Sequence, residues 1–307
     1  MSHVTRNNSG AATADNTYIG VHGNKLAASI YGHAKQPVLF FHGGGQTRHA
    51  WDATAQAMQR AGRCAITVDL RGHGDSEWLD NQFYSFDDYA ADVGTVVQAV
   101  AKGYGVKPIA VGASLGGISA LVAQYASGQT LLAALVLVDI TPRMQREGVE
   151  RIIGFMSDRM LDGFGSLEEA AEAVAAYLPN RNRPQSLGGL SKNLRQGKDG
   201  RFRWHWDPAF INGPHPVHSG RAHREDYRMD AARALSIPTM LVRGQQSELV
   251  SLALAQEFQE MVPHAVLADV SGAGHMVAGD RNDLFQESIF EFLERIDLTQ
   301  GFCNKLT

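Results

Sequence analysis

The chain has 307 residues, 28 of them basic and 32 acidic, and its formal charge of −4 gives no electrostatic case for nucleic acid or an anionic membrane as a partner. Hydrophobic residues make up 44% of it, enough for a sizeable core, yet no apolar run approaches the roughly 18 residues that a bilayer span needs. The two cysteines, Cys64 and Cys303, lie far apart and in no metal or redox motif, which argues against a disulfide framework and favours a reducing, cytoplasmic setting.

Residues 1–16 are polar and lack an apolar h-region, which predicts a disordered tail rather than a signal peptide. Two short apolar runs, 18–22 and 26–31, flank Gly23-Asn24 and predict a hairpin. Residues 38–41 form a continuous apolar run, as expected of a strand covered on both faces. A helix is predicted near 50–61, a strand over 64–68, a loop over 69–82, a helix over 86–101 and a strand over 108–111. A helix over 115–125 and a strand over 135–138 continue the alternation, which implies a mostly parallel sheet with helices on both faces.

The alternation stops at Thr141-Pro142. Helical patterns at 149–160 and 167–177 follow, then a polar Gly/Asn/Arg-rich stretch over 180–200 and a run of aromatics. Strand signals return at 238–242 and 265–270, with helices over 252–261 and 283–295. The expected division is a tail (1–16), an α/β core (17–142 and 229–298), a mainly helical insertion (143–228) and a C-terminal tail (299–307).

Gly112-Ala113-Ser114-Leu115-Gly116 lies between a predicted strand and a predicted helix. That is the context of a nucleophile elbow, a sharp turn that thrusts a serine oxygen out at its tip. The plainer alternative is an ordinary tight strand-to-helix turn. A serine hydroxyl is a weak nucleophile and needs a base, an acid to orient that base, and donors for an oxyanion. His275, in Ser271-Gly272-Ala273-Gly274-His275-Met276, follows the last strand and is the candidate base among 12 histidines. His42-Gly43-Gly44-Gly45 follows the first parallel strand, where glycines let amides face a substrate oxygen. Gly44 is the first candidate donor and Leu115, at the elbow helix N-terminus, the second, with Gly43 beside the substrate. No P-loop or dinucleotide fingerprint accompanies these glycines, which makes a phosphate cradle the weaker reading.

Taken together, these motifs and Asp69-Leu70-Arg71-Gly72-His73-Gly74-Asp75-Ser76 resemble the α/β-hydrolase superfamily, from Tyr18 to Ile296 and in that family's order. The resemblance implies an eight-stranded, mostly parallel sheet flanked by helices, with a helical cap inserted after strand six. It assigns no catalytic role to the Arg-Gly-His-Gly-Asp-Ser loop, where Asp75 is expected to serve as a turn and helix-cap residue. It also leaves the acid open. Many relatives carry an aspartate three residues past the glycine that ends strand seven, but here Ser247 holds that place. Glu248 is next along. The alternative is Asp139 at the end of strand six, a place that some esterases and lactonases of the superfamily use. Asp139 is favoured, because a short carboxylate on a strand end is held more rigidly than a glutamate on a loop.

A serine at position 114 speaks against the epoxide and haloalkane chemistry for which relatives use an aspartate. The expectation is a cofactor-independent hydrolase of a carboxylic ester or lactone, with no metal. The expected partner is a small-molecule substrate, with neither nucleic acid nor membrane and with a homodimer left open. Phe155, Met156, Met160, Phe164, Tyr177, Trp204 and Trp206 are available to line an apolar pocket under the cap, the plainer reading of each being glue between cap and core. Alternatives are a carbon–carbon bond hydrolase of ring-cleavage products using Arg143 and Arg181, a cofactor-free haloperoxidase or perhydrolase, and a ligand receptor of the hydrolase fold.

Overall fold

A computed structural model describes residues 12–178 and 187–303. Eight strands form one sheet, in the order β1-β2-β4-β3-β5-β6-β9-β10. β1 (Ala14–Ile19) and β2 (Lys25–Tyr31) form the expected hairpin, and β2 joins β4 (Cys64–Val68) antiparallel. β1 takes in Ala14, Asp15 and Asn16, residues of the expected tail, by pairing them with Ile30, Ser29 and Ala28. The other strands run parallel: β3 (Pro37–Phe41) between β4 and β5 (Ile109–Ala113), then β6 (Ala134–Val138), β9 (Thr239–Gly244) and β10 (Val266–Val270). Every residue of β3, β4, β6 and β9 is buried, which is why these segments read as mainly apolar runs, unbroken in β3 and β6, rather than alternating ones.

Helices cover both faces. One cluster of buried side chains includes Leu39, Phe41, Val93, Val97, Leu121 and Phe258, and the other includes Phe40, Trp51, Val111, Val136, Phe285 and Leu293. Adjacent residues Phe40 and Phe41 thus serve opposite faces, as the pleat requires. Both are fully buried, and each contributes about 1.5–3 kcal/mol of transfer free energy. α1 (Asp52–Arg60), α2 (Phe86–Tyr104), α3 (Leu115–Ala126), α9 (Leu252–Met261) and α11 (Asn282–Cys303) complete the core layers. α11 extends through Cys303, into the segment expected to be a tail. Among the described residues no helix is long and apolar enough to cross a membrane.

The insertion follows β6. It holds α4 (Arg146–Ser157), α5 (Leu167–Tyr177), α6 (Gly188–Ser191), β7 (Leu194–Gln196), β8 (Phe202–Trp204) and α7 (Ala209–Asn212), and α8 (Glu225–Arg233) then spans the boundary expected at 228 and packs on α3 of the core. β7 and β8 form a two-stranded antiparallel sheet that the sequence reading did not anticipate. Their three-residue strands are too short for a period-2 signal, and the polar turn between them reads as loop.

The register aligns the ends that matter. Phe41 pairs with Gly112, Ala113 with Val138, and Val138 with Val242. The loops after β3, β5, β6 and β9 therefore leave the sheet side by side at its carboxyl edge, where ligands bind in open α/β sheets.

Candidate active site

Ser114 connects β5 to α3 with φ 46° and ψ −112°. Four described non-glycine residues have positive φ, and two of them are Ser114 and Asp139. Such conformations cost about 1–3 kcal/mol each, so the strain gathers where two loops meet at the sheet's edge. Glycines make the turn possible. A Cβ on Gly112 would lie 2.6 Å from the Gly116 backbone, and one on Gly116 would lie 2.4 Å from the Phe41 carbonyl oxygen. Ser114 stands at the N-cap of α3 but makes no side-chain capping bond, whereas Ser85, Ser166 and Ser251 all cap their helices through the side chain. A serine cap is ordinarily worth about 1 kcal/mol. The Ser114 hydroxyl is not spent that way.

Asp139 emerges from β6 beside this turn. The Ser114 amide donates to the Val138 carbonyl (3.3 Å), and the Asp139 amide donates to Val242 (2.7 Å). The Asp139 side chain is fully buried. Its Oδ1 accepts from the Gly244 amide (2.9 Å), and its Oδ2 accepts from the Ser247 hydroxyl (2.5 Å) and lies 2.8 Å from His275 Nδ1. A buried carboxylate is costly unless its lone pairs are met, and here three donors meet them. His275 stands on the loop between β10 and α10 (Val277–Asp280), and its side chain is 13% exposed.

Glu248 is engaged elsewhere. Its Oε1 accepts from the Tyr177 hydroxyl (2.9 Å) and its Oε2 from Arg151 (3.0 Å), tying the loop after β9 to α4 and α5. The backbone at Glu248 presses on the insertion as well, since a Cβ on Gly148 would fall 2.1 Å from the Glu248 carbonyl oxygen. The structure thus brings Asp139 to His275 and sends Glu248 to the insertion.

The glycine loop after β3 lies against the elbow. A Cβ on Gly43 would sit 3.5 Å from Ser114 Cβ. The Gly43 amide donates to Gln46 Oε1 (2.9 Å), and the Gly45 amide donates to His73 Nε2 (3.1 Å). Gly44, between them, has its amide on neither partner. The Leu115 amide opens α3 and so has no acceptor within its helix. Gln46 Nε2 also meets Met276 Sδ (3.3 Å), linking this loop to the one that carries His275.

Two buried histidines hold the loop's shape. His73 Nδ1 donates to the Arg71 carbonyl (2.9 Å), leaving Nε2 as the acceptor for Gly45. His42 Nδ1 donates to the Gly43 carbonyl (2.8 Å), and its Nε2 accepts from the Leu70 amide (2.9 Å). Each arrangement requires a neutral ring. Burial pushes His42 down to about 4, and burial with His42 as neighbour pushes His73 down to about 3. The segment to which the resemblance assigns no catalytic role thus supports the glycine loop directly. Asp75 caps no helix. Its carboxylate holds Arg48 (2.7 Å), which also pairs with Asp69, and its amide donates to Asp69 Oδ2 (2.9 Å).

Among the expected pocket residues, Met156 and Trp206 lie over the glycine loop. A Cβ on Gly45 would meet Met156 Cε at 2.9 Å and Trp206 Nε1 at 3.6 Å. Phe155 and Trp204 pack within the insertion, where Phe155 stacks on Tyr177 (4.2 Å) and Trp204 meets Phe164 edge-on (5.3 Å). Phe210 was not foreseen there, yet a Cβ on Gly44 would meet its ring at 3.2 Å. Arg143 pairs with Glu225 and Glu257, both at 2.9 Å, and Arg181 lies outside the described residues. No group of His, Cys, Asp and Glu among the described residues has a metal-holding arrangement.

A family model described as "Alpha/beta hydrolase family" matches residues 38–287, and the chain belongs to that family. It is 29% identical over 268 residues to the esterase Rv0045c of Mycobacterium tuberculosis, covering 85% of this chain and 84% of that one. It is 28% identical to the 2-(acetamidomethylene)succinate hydrolase of Mesorhizobium japonicum, covering 75% and 78%. The crystal structure of an E-2-(acetamidomethylene)succinate hydrolase superposes with a TM-score of 0.76 at 23% identity, covering 92% of this chain and all of that one, which shows the shared fold.

Proposed function

We propose that this α/β hydrolase cleaves a carboxylic ester, lactones included, through an acyl-enzyme on Ser114. His275 takes the serine proton as the hydroxyl attacks the carbonyl carbon, then returns it to the leaving alcohol. The same ring activates the water that releases the acid and regenerates the serine. Asp139 fixes the imidazole tautomer with Nδ1–H toward Oδ2 and stabilises the imidazolium. The Gly44 and Leu115 amides hold the oxyanion, helped by the positive end of α3. Met156, Trp206 and Phe210 supply the apolar wall over the glycine loop, where Gly43 backs the substrate. Phe155 and Trp204 act one layer out, by holding that wall in place.

The observation that carries this reading is the buried Asp139 carboxylate, 2.8 Å from His275 Nδ1 at the loop edge that also holds Ser114. The esterase relative supports the ester class. Arg143, held by two glutamates on the surface, gives no support to a carboxylate-reading carbon–carbon hydrolase. A panel of short p-nitrophenyl esters, long-chain esters, lactones and ring-cleavage diketones tests the proposal. Multiple turnover of an ester or lactone is expected. Turnover confined to the diketones, or none beyond a single equivalent, would refute it.

A further inference from the structure

The place where many relatives carry their acid holds Ser247 in this chain, and Ser247 is bonded to the carboxylate that replaces that acid. We propose that Ser247 is a positioning residue for Asp139, fixing its orientation toward His275. The inference rests on the catalytic reading above.

The direction of the Ser247 proton follows from its partners. A hydroxyl has one hydrogen to give and two lone pairs to share. Ser247 Oγ lies 3.1 Å from the Leu249 amide and 3.0 Å from the Val250 amide, and an amide N–H only donates. Both lone pairs are therefore taken, and the single hydrogen goes to Asp139 Oδ2 at 2.5 Å. No rotation of the hydroxyl satisfies more bonds. Oδ2 is also the oxygen that meets His275 Nδ1, so serine and imidazole share one acceptor atom. The other oxygen is held by the Gly244 amide. Asp139 is thus gripped on one oxygen by the last residue of β9 and on the other by the loop that follows it.

The carboxylate plane is therefore fixed, and with it the ring that Oδ2 orients. Removing the hydroxyl should loosen that plane.

The test compares wild type, Ser247→Ala, Ser247→Thr and Ser247→Cys on a p-nitrophenyl ester, with kcat and KM measured across pH and thermal melting recorded for each. For Ser247→Ala, kcat should fall about tenfold with KM within about twofold, as expected when a reacting group is misaligned. Ser247→Thr, which restores the donor, should return kcat toward wild type. Should Ser247→Ala fail to fold, because Leu249 and Val250 lose their acceptor, Ser247→Cys gives the reading through its weaker donor, with a smaller fall in kcat. A lowered melting temperature with unchanged kcat would overturn the inference. Ser114→Ala and Asp139→Asn run in parallel separate the two claims. If both are inactive while Ser247→Ala is unchanged, only the positioning role falls, and if either retains full activity, the catalytic reading fails and takes this one with it.

Discussion

His275 Nδ1 and Asp139 Oδ2 lie 2.8 Å apart although 136 residues separate them in the chain. Asp139 is fully buried at a strand end, whereas Glu248, the other candidate acid, points to Arg151 and Tyr177. Asp139→Asn should therefore leave the fold intact and lower kcat/KM by about 10³–10⁴, the scale seen when a triad carboxylate is made neutral. Glu248→Gln should change kcat/KM less than about threefold. Its melting point should drop only slightly, because an ion pair this exposed is worth about 1 kcal/mol or less. Steady-state kinetics on one ester with both variants decides between the two carboxylates.

Two glycines make a matched pair for stability. Gly116→Ala would drive a Cβ to 2.4 Å from the Phe41 carbonyl, in the centre of the sheet, where no side chain can yield. Destabilisation by about 1–3 kcal/mol or more is expected, with loss of activity because the elbow shifts. Gly154 is exposed within α4, and a Cβ there meets nothing within 4 Å. Gly154→Ala should raise stability by up to about 1 kcal/mol through helix propensity alone. Denaturant titrations of the two variants measure both effects.

Acid should unfold the protein partly through His42 and His73. Their folded-state values are depressed to about 4 and about 3, below the ordinary 6.5. Above about pH 6.5 both states are neutral and the stabilisation is complete. As pH falls below that value the unfolded chain binds protons that the folded chain refuses, so stability declines toward pH 4. Each ring contributes a slope of about 1.4 kcal/mol per pH unit. His73→Gln should lose stability at neutral pH and show a flatter decline between pH 6.5 and 4. Unfolding free energies at several pH values read this out, and an unchanged slope would count against a neutral, buried His73.

Much of this arrangement is legible in the sequence. Buried parallel strands announce themselves as apolar runs, so β4 coincides with its predicted range and the interruption after β6 is visible as a loss of strand pattern, while helical periodicity places α5 and α9. Ser114, His275 and the glycine loop carry local signatures, since tight turns demand glycine. Rigidity favours Asp139 over Glu248, and its carboxylate lies against His275. What escaped was long-range pairing. Nothing near His73 in the sequence says that its Nε2 meets Gly45, nothing near Ser247 says that its proton goes to Asp139, and Phe210 reaches Gly44 only because the insertion folds back over the sheet. The β7–β8 pair and the true extent of β1 escaped for a different reason, because very short strands and polar ones look like loop.

The central claim is that Ser114 carries the acyl group. Intact-protein and peptide mass spectrometry after treatment with a fluorophosphonate, and after a rapid acid quench during ester turnover, tests it directly. One adduct per chain, confined to the peptide containing Ser114 and absent from Ser114→Ala, is the expected result. Labelling of another residue, or sustained ester turnover by Ser114→Ala, would contradict the account.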